Sequence, residues 1–335
     1  MPTNPPISLL TTAKQLYKLH SQLKKQDQYF RQHLPPLLAA LETGQEESFG
    51  PSSVKRFNKY WQLALNVICN SFYDLVGKQL SAGEQQRILL LSIFGPLYDD
   101  LFDDNILSHE KIETFTLNPE DHEPGSFKEY VLRKIYLLLL EQAPCREKLL
   151  QHMHQVFTWQ KASLKQMQPG IEEEELYQIT YRKSYYSILL FHSILDHYPS
   201  EAISEMLFPM AGLMQLTNDA FDVYKDIQNG IYTIPNHYLD YERIQQKFLH
   251  DVAQFNRSLA GLPFIPKAKG NYGITIHALH AMGWMALEQL KENTRGTGDC
   301  RALNMLSRKE LVCDMDNFPQ KLRWVKKVKQ LANHQ

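Results

Sequence analysis

The chain has 335 residues, of which 43% are hydrophobic and 22% are charged, and its formal net charge at pH 7 is −1. This composition is that of a folded globular protein and excludes a low-complexity or disordered chain. A near-neutral chain also lacks the broad excess of Lys and Arg with which nucleic-acid binders neutralise phosphates, so any recognition of anions must be local.

The cysteines and the lengths of the apolar stretches indicate where in the cell the protein is expected. The four cysteines, Cys69, Cys145, Cys300 and Cys313, lie far apart and form no Cys-x-x-Cys pair. We therefore expect neither a zinc site nor a disulfide framework, and we expect a reducing, cytoplasmic location. The N-terminal stretch lacks the charged start and long apolar run of a signal peptide. Because no apolar stretch reaches the roughly 18 residues that span a bilayer, we expect at most transient membrane contact.

Apolar residues recur at three- and four-residue spacing along most of the chain, which predicts helices. The segments with this period are 9–40, 52–80, 82–108, 126–142, 145–168, 172–197, 200–230, 239–259, 272–293 and 301–333. Gly- and Pro-containing breakers separate them, and no alternating β-branched run flanked by turns predicts a strand. We therefore predict an all-α protein of about ten helices that forms one domain over residues 1–335.

The stretch "PLYDDLFDD" at 96–104 places four aspartates within an apolar helical element. At about 100° per residue, Asp99, Asp100 and Asp103 lie within roughly 100° of the helix circumference, and Asp104 lies just outside that arc. A simpler interpretation is that Pro96 is the first residue of a helix, in which case the acids would favour the dipole of its first turn.

A second acidic stretch, "QLTNDAFDVYKD" at 215–226, has the same character. On a helix its polar side chains share about one third of the circumference, and the apolar ones cluster on the opposite side. The polar stripe consists of Asn218, Asp219, Asp222, Lys225 and Asp226. The alternative is an ordinary solvated face of an amphipathic helix, with Lys225 paired to Asp222.

Like charges one turn apart destabilise a helix by a few tenths of a kcal/mol per pair in water and by more when they are buried. A compensating cation is therefore expected. Mg²⁺ accepts carboxylate oxygens, retains several waters and is commonly completed by phosphate oxygens. We expect the two acidic patches to face each other across a cavity and to hold a diphosphate through several Mg²⁺ ions.

The acidic stretches resemble the metal motifs of one enzyme superfamily. "DDLFDD" resembles the first motif of class I isoprenoid synthases, written DDxxD in terpene synthases and prenyltransferases and DxxDD or DxxED in squalene and phytoene synthases. "NDAFDVYKD" is similar to NDxxSxxKE, the second motif of microbial terpene synthases, except that Asp222 stands where Ser or Thr is usual. It also resembles the second DDxxD of chain-elongating prenyltransferases and, with the loop that follows, a stretch of squalene and phytoene synthases.

The resemblance implies an isoprenoid synthase-like helical bundle around a central cavity, with several Mg²⁺ ions bound to two motifs. The implied metal ligands in the first motif are Asp99, Asp100, Asp103 and Asp104. Those in the second motif are Asn218, Asp222 and Asp226, with Asp219 as the prenyltransferase-like option. Of all these residues, the implied catalytic ones are Asp100, Asp103, Asp222 and Asp226.

A carbocation left by diphosphate departure requires a dry pocket with aromatic faces. The helical stretch 177–196 is a candidate wall, to which Tyr181 and Tyr185 would contribute. Arg182 in the same stretch and Lys225 in the second motif are candidate contacts of the diphosphate. Aromatic residues at helical spacing are also typical of a plain core, and Lys225 has its alternative pairing with Asp222.

The sequence leaves three interpretations of the function, and different residues favour the two enzymatic ones. Asn218 and Lys225 favour terpene formation from a single prenyl diphosphate, although Arg323 and Trp324 stand where terpene synthases usually carry an Arg-Tyr pair. The Asp222 and Asp226 pair favours head-to-head prenyl transfer of the squalene or phytoene synthase type. No arginine pair follows the first motif, which disfavours chain elongation. A non-catalytic prenyl-lipid-binding or scaffold protein is the third interpretation. Substrate chain length, product skeleton and oligomeric state stay open.

Overall fold

The computed structural model describes residues 6–103, 107–294 and 300–335, and every regular element in these ranges is helical. The prediction of an all-α protein is therefore confirmed. The α-helices are α1 (Leu9–Leu41), α2 (Pro51–Leu63), α3 (Ser71–Val76), α4 (Ala82–Asp103), α5 (His109–Leu117), α6 (Phe127–Gln142), α7 (Arg146–Ser163), α8 (Glu173–Ser193), α9 (Glu201–Gln228), α10 (Ile234–His237), α11 (Tyr241–Gly261), α12 (Pro266–Asn293), α13 (Arg308–Leu311) and α14 (Phe318–Ala332). No helix in the described ranges has the length and apolar character needed to cross a membrane.

The helical segments predicted from periodicity missed α5 and α10, and the pattern was misleading at two further places. The segment predicted as one helix from 301 to 333 is split into a 3₁₀ turn, α13 and α14. The split has a local cause, because the Asn317 side chain accepts from the backbone N–H of Gln320 and Pro319 occupies the first turn, so a new helix begins there. Between α2 and α3 the chain forms a π-helix over Ala64–Asn70, a rare element that often marks functional regions.

The chain divides into two compact units. The first comprises Met1–Tyr17, Ala162–Tyr185 and Ser200–Gln335, and the second comprises Lys18–Lys161 and Tyr186–Pro199. The acidic stretch on α9 therefore belongs to the first unit and the acidic stretch on α4 belongs to the second. The isoprenoid synthase-like arrangement and its central cavity stay predictions.

In the first unit, α9 packs against α11 and α12, and α14 packs on the outside of α12. Two glycines allow α9 to approach α8 and α12 closely. A Cβ atom built on Gly212 of α9 would lie 2.2 Å from the ring of Tyr181, and one built on Gly283 of α12 would lie 2.2 Å from the hydroxyl of Thr217. These contacts fix the orientation of α9, the helix that carries the second acidic stretch.

In the second unit, α4 packs against α2 and α6. One stripe of α4 is aromatic, because Phe94, Tyr98 and Phe102 recur every four residues and are all buried. The hydroxyl of Tyr98 is 2.5 Å from the Thr116 hydroxyl, and the tilted ring of Tyr136 lies 5.3 Å from that of Phe94. This apolar stripe holds the opposite, acidic side of α4 in a defined orientation.

Candidate functional site

The first acidic stretch lies at the C-terminal end of α4. Pro96 is inside this helix, which begins fourteen residues earlier at Ala82. The interpretation of Pro96 as a capped helix start is therefore wrong. Acidic side chains at a C-terminal helix end oppose the helix dipole, so Asp99 and Asp100 need partners that supply hydrogen bonds or positive charge.

Asp99 has such a partner in Tyr60 of α2. The ring of Tyr60 lies against Gly95, where a Cβ atom would be 3.2 Å from it. This close approach brings the Tyr60 hydroxyl one helical turn further along α4, where it donates to Asp99 Oδ2 at 2.7 Å. The absent side chain at Gly95 thus permits the hydrogen bond at Asp99.

Asp100 is held by two cations. The Arg56 guanidinium donates to Oδ1, and Lys128 Nζ of α6 donates to Oδ2 at 3.0 Å. Only 14% of the Asp100 side chain is exposed. Burial lowers the pKa of Arg56, but hydrogen bonding and attraction to Asp100 outweigh burial and the net pKa is raised. Asp100 is therefore the centre of a charged cluster of Arg56, Asp100 and Lys128.

The other two predicted metal ligands of this stretch are Asp103 and Asp104. Asp103 is the last residue of α4, and Asp104 lies outside the described residues.

The second acidic stretch forms the C-terminal part of α9, as predicted. Burial increases steadily across its polar stripe. Lys225 and Asn218 at one edge are exposed, Asp222 in the middle is half-buried, and Asp226 and Asp219 at the other edge are buried. A merely solvated face would expose all five side chains, so that interpretation is wrong for Asp219 and Asp226.

Burial at this edge raises the pKa of the Asp219 and Asp226 carboxyl groups. Burial raises the pKa of Asp219 to about 7, the Gln215 amide opposes the rise, and the charge of Asp226 adds to it. Burial also raises the pKa of Asp226 to about 7, and the charge of Asp222 contributes. Gln215 Nε2 donates to Asp219 Oδ1 at 2.8 Å, whereas the buried Asp219 Oδ2 has no hydrogen-bond partner among the described residues.

The remaining predicted site residues have different surroundings. Tyr181 is buried and its hydroxyl donates to Asp251 Oδ2, so its polar end is used inside the first unit. Arg182 Nε donates to Gln178 at 2.7 Å, and the half-buried Tyr185 packs edge-on against Phe208. Lys225 is exposed and makes no ion pair with Asp222 in the described part of the chain.

Comparison with known proteins gives no family assignment. No family model matches the chain, and the search of curated proteins found no significant match. The site must therefore be judged by its own geometry and chemistry.

The carboxylate and amide oxygens of the α9 stripe suit Mg²⁺, which prefers hard oxygen ligands. The unpartnered Asp219 Oδ2 and the raised pKa values of Asp219 and Asp226 are features that a bound cation would relieve. Within the described residues, no cluster of three or more His, Cys, Asp or Glu side chains forms a ready metal cage. Mg²⁺ commonly binds through one or two carboxylates together with waters and phosphate oxygens, so such a cage is not required.

Sequence reasoning missed the partners of these carboxylates, which are Arg56, Tyr60, Lys128, Lys183 and Gln215. Arg56 and Tyr60 stand one turn apart on α2 and therefore share a face, which was the available indication. Gln215 is one turn before Asp219 and could have been identified in the same way. Lys183 lowers the pKa of both Asp219 and Asp226, but nothing in its local sequence indicates that role.

Proposed function

We propose that this protein ionises an allylic prenyl diphosphate with the help of Mg²⁺ and forms a terpene product. The observation that carries the proposal is the α9 stripe, in which two buried carboxyl groups have pKa values near 7 and one of their oxygens lacks a partner. Perturbed carboxyl groups of this kind are concentrated at functional sites. The motif resemblance supplies the reaction class.

In this proposal Asn218, Asp222 and Asp226 are the metal ligands on α9. Asn218 Nδ2 donates to Asp222 Oδ2 at 3.4 Å, which leaves the Asn218 amide oxygen available as a ligand. Asp219 is the further carboxylate at the buried edge. Bound Mg²⁺ supplies Lewis-acid stabilisation of the departing diphosphate. Lys225, exposed at the other edge of the stripe, binds a diphosphate oxygen.

In the first motif, the proposed ligands are Asp99, Asp100 and Asp103, with Asp104 as a further candidate. Arg56 and Lys128 hold Asp100 in place and bring two positive charges to it. A guanidinium and an ammonium group are both suited to phosphate oxygens. We propose that these two cations contact the diphosphate as well as Asp100.

The aromatic residues of α8 contribute to the proposed wall of the hydrocarbon site. Tyr185 is half-buried and offers a ring face, while Tyr181 offers its ring only, because its hydroxyl is bound to Asp251. Arg182 is half-buried on the same helix and is the remaining candidate contact of the diphosphate.

A second candidate function is head-to-head prenyl transfer. The observation that favours it is the electrostatic coupling of Asp222 and Asp226, in which the charge of the first raises the pKa of the second. An aspartate pair one turn apart followed by a turn at Gly230, whose φ is +65°, resembles the squalene and phytoene synthase stretch.

The test is incubation with geranyl, farnesyl or geranylgeranyl diphosphate, with and without Mg²⁺, while pyrophosphate release and products are followed. We expect Mg²⁺-dependent release with a hydrocarbon of unchanged carbon number. A product of doubled carbon number would support head-to-head transfer. No release with any chain length would contradict both enzymatic proposals and favour a lipid-binding or scaffold protein.

Variants test the site assignment in the same assay. Asp100→Ala and Asp222→Ala should each abolish turnover while circular dichroism retains the helical content, and the exposed Asp121→Ala should retain full activity. Full activity in either single variant would contradict the assignment of that aspartate as a metal ligand.

A further inference from the structure

Helix α14 has one face buried against α12 and one face exposed. Trp324 Nε1 donates to the Ala278 carbonyl at 2.7 Å, and Val328 and Leu331 are buried on the same side. At about 100° per residue, the opposite side is occupied by Phe318, Leu322, Lys326 and Lys329. These four side chains lie within roughly 80° of one another on the outer surface of the first unit.

The N-terminal half of this outer surface is apolar. Phe318 is 77% exposed and Leu322, one turn later, is 45% exposed. A folded protein loses hydrophobic stabilisation for each such side chain that it leaves in water instead of burying it. Neighbouring exposed apolar residues of this size are typical of an interaction surface.

The C-terminal half of the surface is cationic. Helix α14 contains Lys and Arg but no Asp or Glu. Arg323 and Lys327 are paired with Glu288 at 2.8 and 2.9 Å. Lys326 and Lys329 are exposed and form no ion pair within the described ranges. Their charge is therefore available to an external anion.

A second exposed apolar pair lies near the end of α14. Asn333 accepts from the backbone N–H of Ile7 at 2.7 Å and donates to the Ile7 carbonyl at 3.1 Å, which fixes the first turn of α1 beside the end of α14. Leu9 and Leu10 in that turn are exposed, Leu10 to 65%. Exposed apolar side chains thus lie near both ends of α14.

We propose that the outer face of α14, defined by Phe318, Leu322, Lys326 and Lys329, binds an anionic phospholipid membrane together with Leu9 and Leu10 near its end. A helix with Lys on its polar part and Phe and Leu beside it lies in the membrane interface, with its apolar side chains at the acyl boundary and its cations at the headgroups. A nucleic acid would use the cations but would leave Leu9, Leu10 and Leu322 without a role. This proposal does not depend on the proposed enzymatic function.

The test is flotation of the full-length protein with two kinds of vesicle, pure phosphatidylcholine and phosphatidylcholine mixed with phosphatidylglycerol. We expect binding to the anionic vesicles that weakens with added salt, because charge attraction to a surface is screened. Neutralising both lysines in Lys326→Ala/Lys329→Ala should weaken binding roughly 30-fold, from about 1 kcal/mol per lysine. Phe318→Ser/Leu322→Ser should weaken binding by about tenfold or more.

Matched controls remove equivalent side chains elsewhere. Lys55→Ala/Lys59→Ala removes two exposed lysines one turn apart on α2, and Leu117→Ser/Met167→Ser removes two exposed apolar side chains. Both controls should bind as the wild type does. All substituted residues are exposed, so unchanged helical content and melting temperature are expected in every variant.

Three outcomes would overturn the proposal. They are absence of binding to anionic vesicles, equal loss of binding in the variants and the controls, and equal binding to neutral and anionic vesicles. Retention of binding by Phe318→Ser/Leu322→Ser, together with displacement from vesicles by single-stranded RNA, would instead identify the surface as a nucleic-acid site.

Discussion

The ring of Tyr181 lies directly against the backbone of Gly212, where a Cβ atom would come within 2.2 Å of Tyr181 Cδ1. Tyr181 is buried and its hydroxyl donates to Asp251, so the ring has no free direction in which to move. This contact joins α8 to α9 six residues before the polar stripe of α9 begins at Asn218.

Gly212→Ala should lower the free energy of unfolding by about 1–3 kcal/mol, because the added methyl group forces Tyr181 or α9 to shift. Urea denaturation monitored by circular dichroism measures this loss. The control is Gly270→Ala in α12, where a Cβ atom meets only the Ile7 Cδ1 methyl at 3.9 Å. There the higher helix propensity of Ala should make the protein as stable as the wild type or more stable. Equal effects of the two substitutions would contradict the proposed crowding.

Tyr181→Phe tests the hydroxyl group of the tyrosine whose ring contacts Gly212. Removal of the hydroxyl leaves Asp251 buried, with Lys247 Nζ at 3.6 Å as its remaining cationic neighbour. A buried carboxylate that loses a hydrogen bond costs about 1–3 kcal/mol, and we expect that decrease in the unfolding free energy. Tyr17→Phe removes the hydroxyl of a tyrosine that is 76% exposed and should change stability little. A Tyr181→Phe variant as stable as the wild type would show that the hydroxyl is not needed.

Local periodicity was sufficient to predict the all-helical class and most of the longer helices. The segments predicted at 9–40, 126–142 and 200–230 agree closely with α1, α6 and α9, because each has a continuous apolar stripe and ends at a breaker. The split of 301–333 was not predicted, because its apolar spacing continues across Asn317 and Pro319 while the backbone follows the cap at Asn317. Cap geometry overrides periodicity at such positions.

The polar stripe on α9 could be predicted from angles alone, but its burial gradient could not. Asn218 and Asp219 are neighbours in sequence, yet one is exposed and the other is buried. The difference arises from what packs on each edge of α9, and that depends on residues far away in the chain. The same holds for Asp100, whose cations come from α2 and α6.

The charged cluster of Arg56, Asp100 and Lys128 should contribute measurably to stability. A double-mutant cycle with Arg56→Ala and Asp100→Ala should give a coupling energy of about 1 kcal/mol, because the Asp100 carboxylate is only 14% exposed and is hydrogen-bonded. In a Lys128→Ala background the coupling should increase, since Arg56 is then the sole cation in the cluster.

The control cycle uses Lys18 and Asp74, which are 3.0 Å apart and about half exposed. We expect only a few tenths of a kcal/mol for this pair, as is usual for solvated ion pairs. Equal coupling energies in the two cycles would contradict a special role for the cluster. Both cycles are measured by urea denaturation at low salt.

The raised pKa values of Asp219 and Asp226 also fix the sign of a pH effect on stability. Both carboxyl groups have pKa values of about 7 in the folded protein, against an ordinary value of 3.8. The folded state therefore binds their protons more tightly than the unfolded state. The resulting stabilisation is fully present below pH 3.8 and is lost as the pH rises through 7. Buried histidines act in the opposite direction, because burial lowers the pKa of His192 to about 3 and that of His152 to about 4.

Asp219→Asn should remove one of these two carboxyl contributions without changing those of the histidines. The difference in unfolding free energy between variant and wild type should therefore shift in favour of the variant by up to about 1.4 kcal/mol per pH unit between pH 4 and 7, and then level off. Urea denaturation at half-unit pH intervals measures that difference. Asp121→Asn, which alters an exposed carboxyl group, is the control for the substitution itself. A flat difference for Asp219→Asn would contradict the raised pKa of Asp219 and with it the argument that burial perturbs the carboxyl groups at this edge of the α9 stripe.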